Sequence, residues 1–208
     1  MSRNKEGVLI VLSGPSGTGK GTIVQRLLEQ HDDIVLSVSM TTRDPRPGEL
    51  ERVHYFFRTR EEFEETLANN GFLEHAEYSG NLYGTPEAPI RRWLSEGKNV
   101  ILEIEVQGAE QVIDNRSDVV SVFLVPPSMA ELERRLRNRC TETEESIQRR
   151  LKTARQEMTR AFKYNYVVLN DEVEKATERI NHIIDTESMR YDRMENLVME
   201  VLNDVSTQ

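Results

Sequence analysis

The chain carries, near its amino end, a glycine-rich run with one lysine, Gly14-Pro15-Ser16-Gly17-Thr18-Gly19-Lys20-Gly21-Thr22. A short β-branched apolar run over residues 8–12 precedes it, and apolar residues at helical spacing follow it. This order indicates a buried strand, a tight turn and a helix. Glycines in such a turn let the backbone bend around a polyphosphate, so that N–H groups and the positive end of the helix meet the anion. The sequence therefore predicts a phosphate-binding loop, with Lys20 as the cation for the β and γ phosphates.

One position of this loop departs from the usual pattern. Gly21 follows the lysine, where a Ser or Thr hydroxyl normally meets Mg²⁺. Thr22 supplies a hydroxyl one residue later, so we expect it as a metal ligand while its direct contact stays open. A chance glycine turn before an ordinary helix is the alternative, and the strand, the lysine and the helix together argue against it.

Length and composition limit the class of protein. The 208 residues can form one large α/β domain with an insertion, or two small domains. The 36 acidic and 27 basic residues give a net charge of -9, which argues against a general binder of nucleic acid or of anionic membranes. The single cysteine, Cys140, excludes an intrachain disulfide and fits a reducing compartment. Neither a membrane-spanning run nor a signal-peptide pattern is present, so we expect a cytoplasmic protein.

Two arginines follow the second strand candidate, residues 34–39. Arg43 and Arg46 lie on a loop that two prolines and a glycine keep out of regular structure. Guanidinium groups bind phosphate oxygens in pairs, so this loop can clamp a second phosphate. A solvated turn is the alternative for these residues taken alone.

Short elements then continue to residue 89. Extended segments are predicted over 53–57 and 72–78, and a capping box at 59–62 opens a helix that reaches about residue 70. Pro86 suits the first position of the next helix, which makes Thr85 its N-cap. This block looks like an insertion beside the main sheet.

A strand over residues 99–106 closes with two acids. Glu103 and Glu105 are spaced by two, so they share one face at the carboxyl end of that strand. Ligands of open α/β sheets bind at this edge, and a carboxylate there can hold Mg²⁺ directly or through water. Exposed strand-end charges are the alternative.

Arginines then cluster around a polar hinge. After a buried strand over 119–125, a capping box at 128–131 opens a helix that carries Arg135 and Arg139 on one face. A long helix restarts near residue 141, with Arg149 and Arg150 in its first turns. Its inward positions are predicted to be Ile147, Leu151, Ala154, Met158 and Phe162. Such a cluster suits a lid that closes over phosphates, and two helices with solvated basic faces are the alternative.

The chain ends with a strand that leads to Asn170, a helix from about Glu172, and a tail. The tail has an apolar helical stripe made of Met194, Leu197, Val198, Val201 and Leu202. We expect the stripe to pack on the core, and binding of a partner is the alternative.

The order of these features closely resembles guanylate kinases over about residues 7–190. Four segments carry the resemblance: 37–49, with Thr42-Arg43-Asp44-Pro45-Arg46-Pro47-Gly48-Glu49; 72–76, with Phe72-Leu73-Glu74-His75-Ala76; 80–85, Gly80-Asn81-Leu82-Tyr83-Gly84-Thr85; and 141–146, Thr141-Glu142-Thr143-Glu144-Glu145-Ser146. The resemblance implies an α/β fold, with a P-loop NTPase-type three-layer core and a parallel sheet over residues 1–40 and 90–190. It also implies a helical lid at about 138–152, an inserted small mixed α/β domain for GMP over 41–89, and a C-terminal helical tail over 191–208.

The activity that the resemblance implies is Mg²⁺-dependent, in-line transfer of the γ-phosphoryl group of ATP to GMP, giving ADP and GDP. Deoxy-GMP is a further expected acceptor. The oligomeric state stays open, a homodimer included.

Site residues follow from the resemblance position by position. ATP would be bound by the loop, Gly14, Pro15, Ser16, Gly17, Thr18, Gly19, Lys20, Gly21 and Thr22, and by Asn170. The GMP phosphate would be held by Arg43, Arg46, Tyr55 and Tyr83, and guanine by Ser39, Glu74 and Thr85. Glu105 would also contact GMP. Catalytic charge would come from Lys20, Arg43, Arg135, Arg139 and Arg150. Glu103 and Thr22 are the metal-ligand candidates.

Elementary chemistry supports these roles. Guanine presents N1–H and N2–H side by side, and one carboxylate such as Glu74 can accept both, whereas adenine would leave that carboxylate unpaired. The acceptor is a phosphate oxygen, largely dianionic at neutral pH because its second pKa is about 6, so no general base is required.

The sequence departs from the family pattern in three respects, at four positions. Gly21 lacks the hydroxyl, Glu103 and Glu105 stand where aspartates are common, and Cys140 replaces a frequent lid glycine. A non-catalytic module that binds phosphopeptides, or a phosphotransferase with another acceptor, are the competing functions.

Overall fold

The computed structural model of the chain describes residues 6–78, 80–138 and 143–204. Its elements in chain order are β1 (Leu9–Ser13), α1 (Lys20–Gln30), β2 (Ile34–Leu36), β3 (Met40–Thr41), β4 (Phe56–Phe57), α2 (Arg60–Ala68), β5 (Phe72–Tyr78), β6 (Asn81–Pro86), α3 (Glu87–Ser95), β7 (Asn99–Glu103), α4 (Val106–Asn115), β8 (Val120–Val125), α5 (Met129–Arg137), α6 (Glu144–Met158), a 3-10 turn (Ala161–Lys163), β9 (Tyr166–Leu169), α7 (Val173–Glu187) and α8 (Tyr191–Asp204).

A parallel sheet of order β2-β7-β1-β8-β9 forms the centre of the main fold. The apolar side chains of β1 alternate between its two faces and are buried on both. Ile10 and Leu12 pack in the cluster that contains residues of α1 and α7, whereas Leu9 and Val11 pack in the cluster that contains residues of α3 and α4. Helices thus cover both faces of the sheet, which gives the three layers predicted from the sequence.

A second sheet of order β4-β3-β6-β5 lies in the segment between β2 and α3. Its strands are short, and α2 packs against it through Phe63, whose ring stacks on Phe72 with centroids 4.4 Å apart. The capping box predicted at the start of α2 is confirmed, because the Thr59 and Glu62 side chains each bond the other's backbone N–H. The strand predicted over 53–57 is reduced to β4, because residues 52–54 form a turn that begins at Arg52, whose φ is 65°.

Two predicted boundaries near the main sheet are wrong. The strand predicted over 99–106 ends at Glu103, and Glu105 is instead the N-cap of α4, a helix that the sequence analysis did not predict. Helix α4 forms because Val106, Ala109 and Val112 bury one helical face against the sheet. The N-cap of α3 is Pro86, and Thr85 lies in β6, where its hydroxyl donates to Glu74 rather than capping the helix.

The helices around the predicted hinge differ in detail from expectation. Ser128 caps α5 by accepting the N–H of Glu131, but the Glu131 carboxylate binds Arg134 and Arg135 instead of completing a capping box. Helix α6 starts at Glu144, and residues 139–142, including the predicted Arg139 and Cys140, lie outside the described residues. Phe162 was predicted to face inward but is 82% exposed, because α6 ends at Met158 and its periodicity does not extend that far.

The tail helix α8 contacts the core near its start. Arg193 donates to the backbone oxygen of Asp118 at 2.7 Å, and Met194 and Leu197 are half-buried. Val201 and Leu202 are 58% and 60% exposed, so the predicted packing applies only to the first half of the stripe. Among the helices of the described ranges, none is both long and apolar enough to cross a membrane.

Candidate active site

The glycine-rich loop connects β1 to α1 at the carboxyl edge of the main sheet. Gly14, Gly17 and Gly19 have φ angles of 141°, 92° and 95°, a region that side chains rarely adopt. A Cβ at position 19 would also lie 2.6 Å from Nδ2 of Asn170. Helix α1 has no side-chain cap, so its first N–H groups are not taken by a capping side chain. The loop therefore has the shape and the donors that a phosphate group needs.

Lys20 curls back over this loop. Its ammonium group is buried and donates to the backbone oxygen of Gly14 at 2.6 Å and to that of Pro15 at 3.5 Å. Thr18 is also buried, and its hydroxyl donates to the Pro15 oxygen at 2.8 Å. The loop is thus closed on itself by side chains of its own sequence.

Asn170 and Arg135 support the loop from outside. The Asn170 amide donates to the Thr18 oxygen at 2.6 Å, and Arg135 donates to the same oxygen at 3.3 Å and to the Asn170 oxygen at 3.0 Å. Arg135 also binds the Glu131 carboxylate at 2.8 Å. Both residues were predicted to act on the nucleotide, and in this structure both donate to the Thr18 backbone oxygen of the loop.

Two carboxylates lie close to the loop lysine, and a third, Glu105, lies close to both of them. Burial raises the pKa of Glu103, at the end of β7, and the charge of Lys20 opposes that rise. Glu157, near the end of α6, has its pKa raised to about 7 by burial and by the charge of Glu105. The sequence analysis missed Glu157, although its spacing from Arg150 places both on one face of α6.

A cavity of about 390 Å³ opens between the loop and α6. It is lined by Ser16, Glu105, Ser146, Arg149, Arg150, Thr153 and Glu157. Arg150 reaches across it, with Nη1 3.4 Å from the Ser16 hydroxyl. Arg139, the remaining predicted lid cation, lies outside the described residues.

The loop between β3 and β4 of the second sheet, which carries Arg43 and Arg46, helps to bring four predicted residues together. The Arg43 guanidinium lies 5.5 Å from the centre of the Tyr55 ring, and the Tyr55 and Tyr83 rings are 6.0 Å apart, edge to face. The hydrogen bond that Arg43 donates to the Glu49 carboxylate, and then one with Tyr83, raise the pKa of Arg43, while desolvation by burial opposes the rise. The charge of Arg46 also acts on Tyr55, whose pKa burial raises. The cluster is cationic and aromatic, as a phosphate subsite requires.

Glu74 is buried on β5 beside the core. Its Oε1 accepts the Thr85 hydroxyl at 2.5 Å, and burial raises its pKa while that hydrogen bond opposes the rise. Gly108 of α4 lies directly against it, because a Cβ at position 108 would be 2.8 Å from Oε2. Ser39 lies half-buried just before β3.

The second sheet is bonded to the core beside Glu74. Gln111 of α4 donates to the His75 oxygen at 3.2 Å and accepts the His75 N–H at 3.3 Å. This pair fixes the edge of β5 on α4, whose first turn carries Gly108.

Comparison of the chain with known proteins points to one family. A family profile described as guanylate kinase matches residues 6–187. The chain is 52% identical over 202 residues to a guanylate kinase of Clostridium perfringens, covering 97% of this chain and 94% of that one. It is 46% identical over 201 residues to a guanylate kinase of Caldanaerobacter subterraneus, covering 97% and 98%. A solved guanylate kinase structure from Anaplasma phagocytophilum matches with a TM-score of 0.71 and 38% identity, covering 91% and 90%.

The chain belongs to the guanylate kinase family. It is accordingly an enzyme, a nucleoside monophosphate kinase, and the resemblance predicted from four sequence segments is confirmed.

The sequence analysis gave no role to three further residues that contact the candidate site residues. Glu49 lies in the segment 37–49 that carries the family resemblance, but no role was predicted for it. Gly108 and Gln111 lie in α4, a helix that was not predicted. The signal for Glu49 was its place six residues after Arg43 in the same loop. The contact of Gly108 with Glu74 joins distant parts of the chain and leaves no mark on local periodicity.

The guanylate kinase family implies Mg²⁺, and the residues present fit it in part. The Glu103 carboxylate faces the bare Cα of Gly21, where a Cβ would lie 3.5 Å from Oε1, so it supplies the hard oxygen donor that Mg²⁺ prefers. Thr22 is exposed on α1. The described residues hold no group of three or more His, Cys, Asp or Glu side chains suited to a metal ion. Phosphate and water oxygens would therefore complete its coordination.

Proposed function

We propose that this enzyme transfers the γ-phosphoryl group of ATP to GMP, giving ADP and GDP, with Mg²⁺ as the metal. One observation carries the proposal: the first turn of α4 connects the two subsites. Its N-cap, Glu105, shares a cavity with Ser16 of the phosphate-binding loop, and Gly108 abuts Glu74 of the second sheet. A donor nucleotide on the loop and an acceptor base at Glu74 would therefore meet at this turn.

The donor phosphates bind the loop. Backbone N–H groups at the start of α1 face the anion, and the Lys20 ammonium leaves its backbone acceptors for the β and γ phosphates. Asn170 and Arg135 act on the loop rather than on the phosphates, since both hold the Thr18 oxygen. Glu103 and the phosphates would hold Mg²⁺, which would supply positive charge against the triphosphate.

The enzyme binds both the phosphate and the base of the acceptor nucleotide. Arg43 and Arg46, with the hydroxyls of Tyr55 and Tyr83, take the phosphate of GMP. The Glu74 carboxylate accepts guanine N1–H and N2–H, and the raised pKa of Glu74 reflects a buried acid that gains from such donors. Ser39 and Thr85 supply hydroxyls near the base, and deoxy-GMP is a second acceptor.

Transfer then depends on alignment and charge. The attacking atom is a phosphate oxygen that carries no proton to remove, so the enzyme contributes cations and orientation rather than a base. Arg150 of α6 already reaches the loop through Ser16, and it supplies charge at the transfer point when α6 closes over the loop. Closure also excludes water, which would otherwise accept the phosphoryl group.

Coupled ADP release tests this function. The rate is measured with ATP and Mg²⁺ and with GMP, deoxy-GMP, AMP, CMP or UMP as the acceptor, and Lys20→Ala serves as the control. We expect turnover selective for guanine acceptors that is lost in the control. Equal turnover with AMP would contradict the acceptor assignment, and turnover that persists in Lys20→Ala would contradict the role of the loop.

A further inference from the structure

Glu49 binds both arginine positions of the acceptor loop. Its Oε1 accepts a hydrogen bond from Nη2 of Arg43 at 2.9 Å, and its Oε2 accepts the backbone N–H of Arg46 at 2.7 Å. The Glu49 side chain is 19% exposed and that of Arg43 is 14% exposed. This carboxylate therefore joins the two ends of the loop through a largely shielded ion pair.

One N–H group of Arg43 is buried without an acceptor in the described part of the chain. Its Nη1 donates to the backbone oxygen of Asp44 at 2.7 Å, and its Nη2 is taken by Glu49. Its Nε is buried and has no hydrogen-bond acceptor in the described part of the chain. A buried guanidinium N–H without an acceptor is costly, and an oxyanion next to Arg43 would satisfy it.

We propose that Glu49 is a positioning residue of the acceptor subsite, holding Arg43 and the Arg46 backbone in the arrangement that receives the acceptor's phosphate. The inference rests on the proposed function, in which Arg43 and Arg46 bind that phosphate.

Geometry favours a support over a competitor for Arg43. Residues 43–49 carry two positive charges, Arg43 and Arg46, and two negative charges, Asp44 and Glu49, so the net charge of the loop does not decide between the two roles. One oxygen of Glu49 is committed to a backbone N–H, which ties the carboxylate to its place. The pKa of Glu49 is lowered to about 2, first by Arg43 and then by the Arg46 N–H, so the carboxylate stays ionised at any working pH.

Pre-ordering explains why an anion next to an anion site can help binding. Arg43 is a long side chain that loses many rotamers when it engages phosphate. Glu49, the Asp44 oxygen and the Tyr55 ring fix it before the acceptor arrives, so less freedom is lost on binding. Its Nε–H makes no hydrogen bond to these partners.

The same region provides a matched control. Glu51 also binds one backbone N–H, that of Phe57 at 2.9 Å, and one guanidinium, that of Arg58 at 2.8 Å. Arg58 lies over the Phe56 ring and is not part of the cluster with Tyr55 and Tyr83. Removing Glu51 therefore removes the same kind of bonds from the same region while leaving both bonds of Glu49 in place; it reaches the phosphate subsite only indirectly, through Phe57, whose ring contacts Tyr55 and Arg43.

The experiment compares Glu49→Ala, Glu49→Gln and Glu51→Ala in the full chain. Calorimetry without ATP gives the Kd of GMP and of guanosine, which lacks the phosphate, and coupled ADP release gives KM and kcat. We expect Glu49→Ala to raise the Kd and KM of GMP about 10- to 100-fold, the range for a lost charge-assisted hydrogen bond. Glu49→Gln, which can accept only one of the two bonds, should fall between Glu49→Ala and the wild type.

Three further measurements distinguish a positioning role of Glu49 from general damage to the folded protein. Guanosine affinity and kcat at saturating GMP should stay within about threefold of the wild type, and so should GMP affinity in Glu51→Ala. A Kd for GMP that is unchanged or lower in Glu49→Gln would overturn the proposal, since it would make Glu49 a competitor. An equal loss of guanosine affinity would also overturn it, because the effect would then not involve the phosphate. Wild-type protein that neither binds nor phosphorylates GMP would instead contradict the proposed function.

Discussion

Replacing Gly108 by alanine should damage guanine recognition without weakening the fold. An alanine Cβ at this position would lie 2.8 Å from Oε2 and 3.3 Å from Cδ of Glu74. Ordinary contacts begin near 3.4 Å, so the carboxylate must retreat by roughly 0.6 Å. Glu74 is buried and bonded to Thr85 at 2.5 Å, so this retreat distorts the hydrogen bond that orients it.

The size of the effect follows from what the carboxylate does. A misplaced Glu74 leaves one guanine donor poorly paired in a buried site, which costs about 1–3 kcal/mol, or roughly 5- to 150-fold in kcat/KM for GMP. The helix itself gains, because alanine is favoured over glycine in a helix by up to about 1 kcal/mol. The melting temperature should therefore hold or rise while kcat/KM falls.

Two measurements check this prediction. Coupled ADP release gives kcat/KM for GMP, and thermal unfolding gives the melting temperature. The double variant Gly108→Ala with Glu74→Asp, whose shorter side chain leaves room for the new methyl group, should lose less than the two single changes combined. A Gly108→Ala enzyme with normal kcat/KM for GMP would refute the reasoning, and so would a loss of activity that tracks a lower melting temperature.

Two other expectations concern the loop and its acids. Asn170→Ala removes a buried hydrogen bond to the Thr18 oxygen, so we expect about 1–3 kcal/mol less stability and a higher KM for ATP; an unchanged KM for ATP would argue against its support of the loop. Glu157 has its pKa raised from 4.5 to about 7, so the folded state loses stability as pH rises through that interval. Glu157→Gln should therefore have the same free energy of unfolding as the wild type near pH 4. Near pH 8 it should be more stable than the wild type by on the order of 1 kcal/mol after allowance for solvent screening. A difference in stability that is largest near pH 4 would contradict this.

Local patterns predicted the parts of the enzyme that depend on near neighbours in sequence. The strand, the glycines and Lys20 stand together in one run, so the loop could be identified before its φ angles were known. The capping box at Thr59 also needs only four residues. Arg43, Tyr55 and Tyr83 were assigned by resemblance, and the structure brings them together.

Other features depend on contacts that no local pattern reveals. Helix α4 was missed because the apolar run of β7 continues through Ile104 and Val106, which extends a strand pattern past its true end at Glu103. Phe162 was placed inward because the periodicity of α6 was carried past its last residue. The slot that Gly108 leaves for Glu74 exists only once the second sheet lies against α4.

The acceptor preference of Glu74→Gln tests the central claim most directly. Glutamine keeps the size of the side chain but turns one acceptor into a donor, which faces the guanine N–H groups. We predict that kcat/KM for GMP falls on the order of 10²- to 10⁴-fold while that for AMP changes little, so that the ratio between the two acceptors collapses. A ratio of GMP to AMP equal to that of the wild type would show that Glu74 does not read the base, and it would contradict the account of the acceptor site.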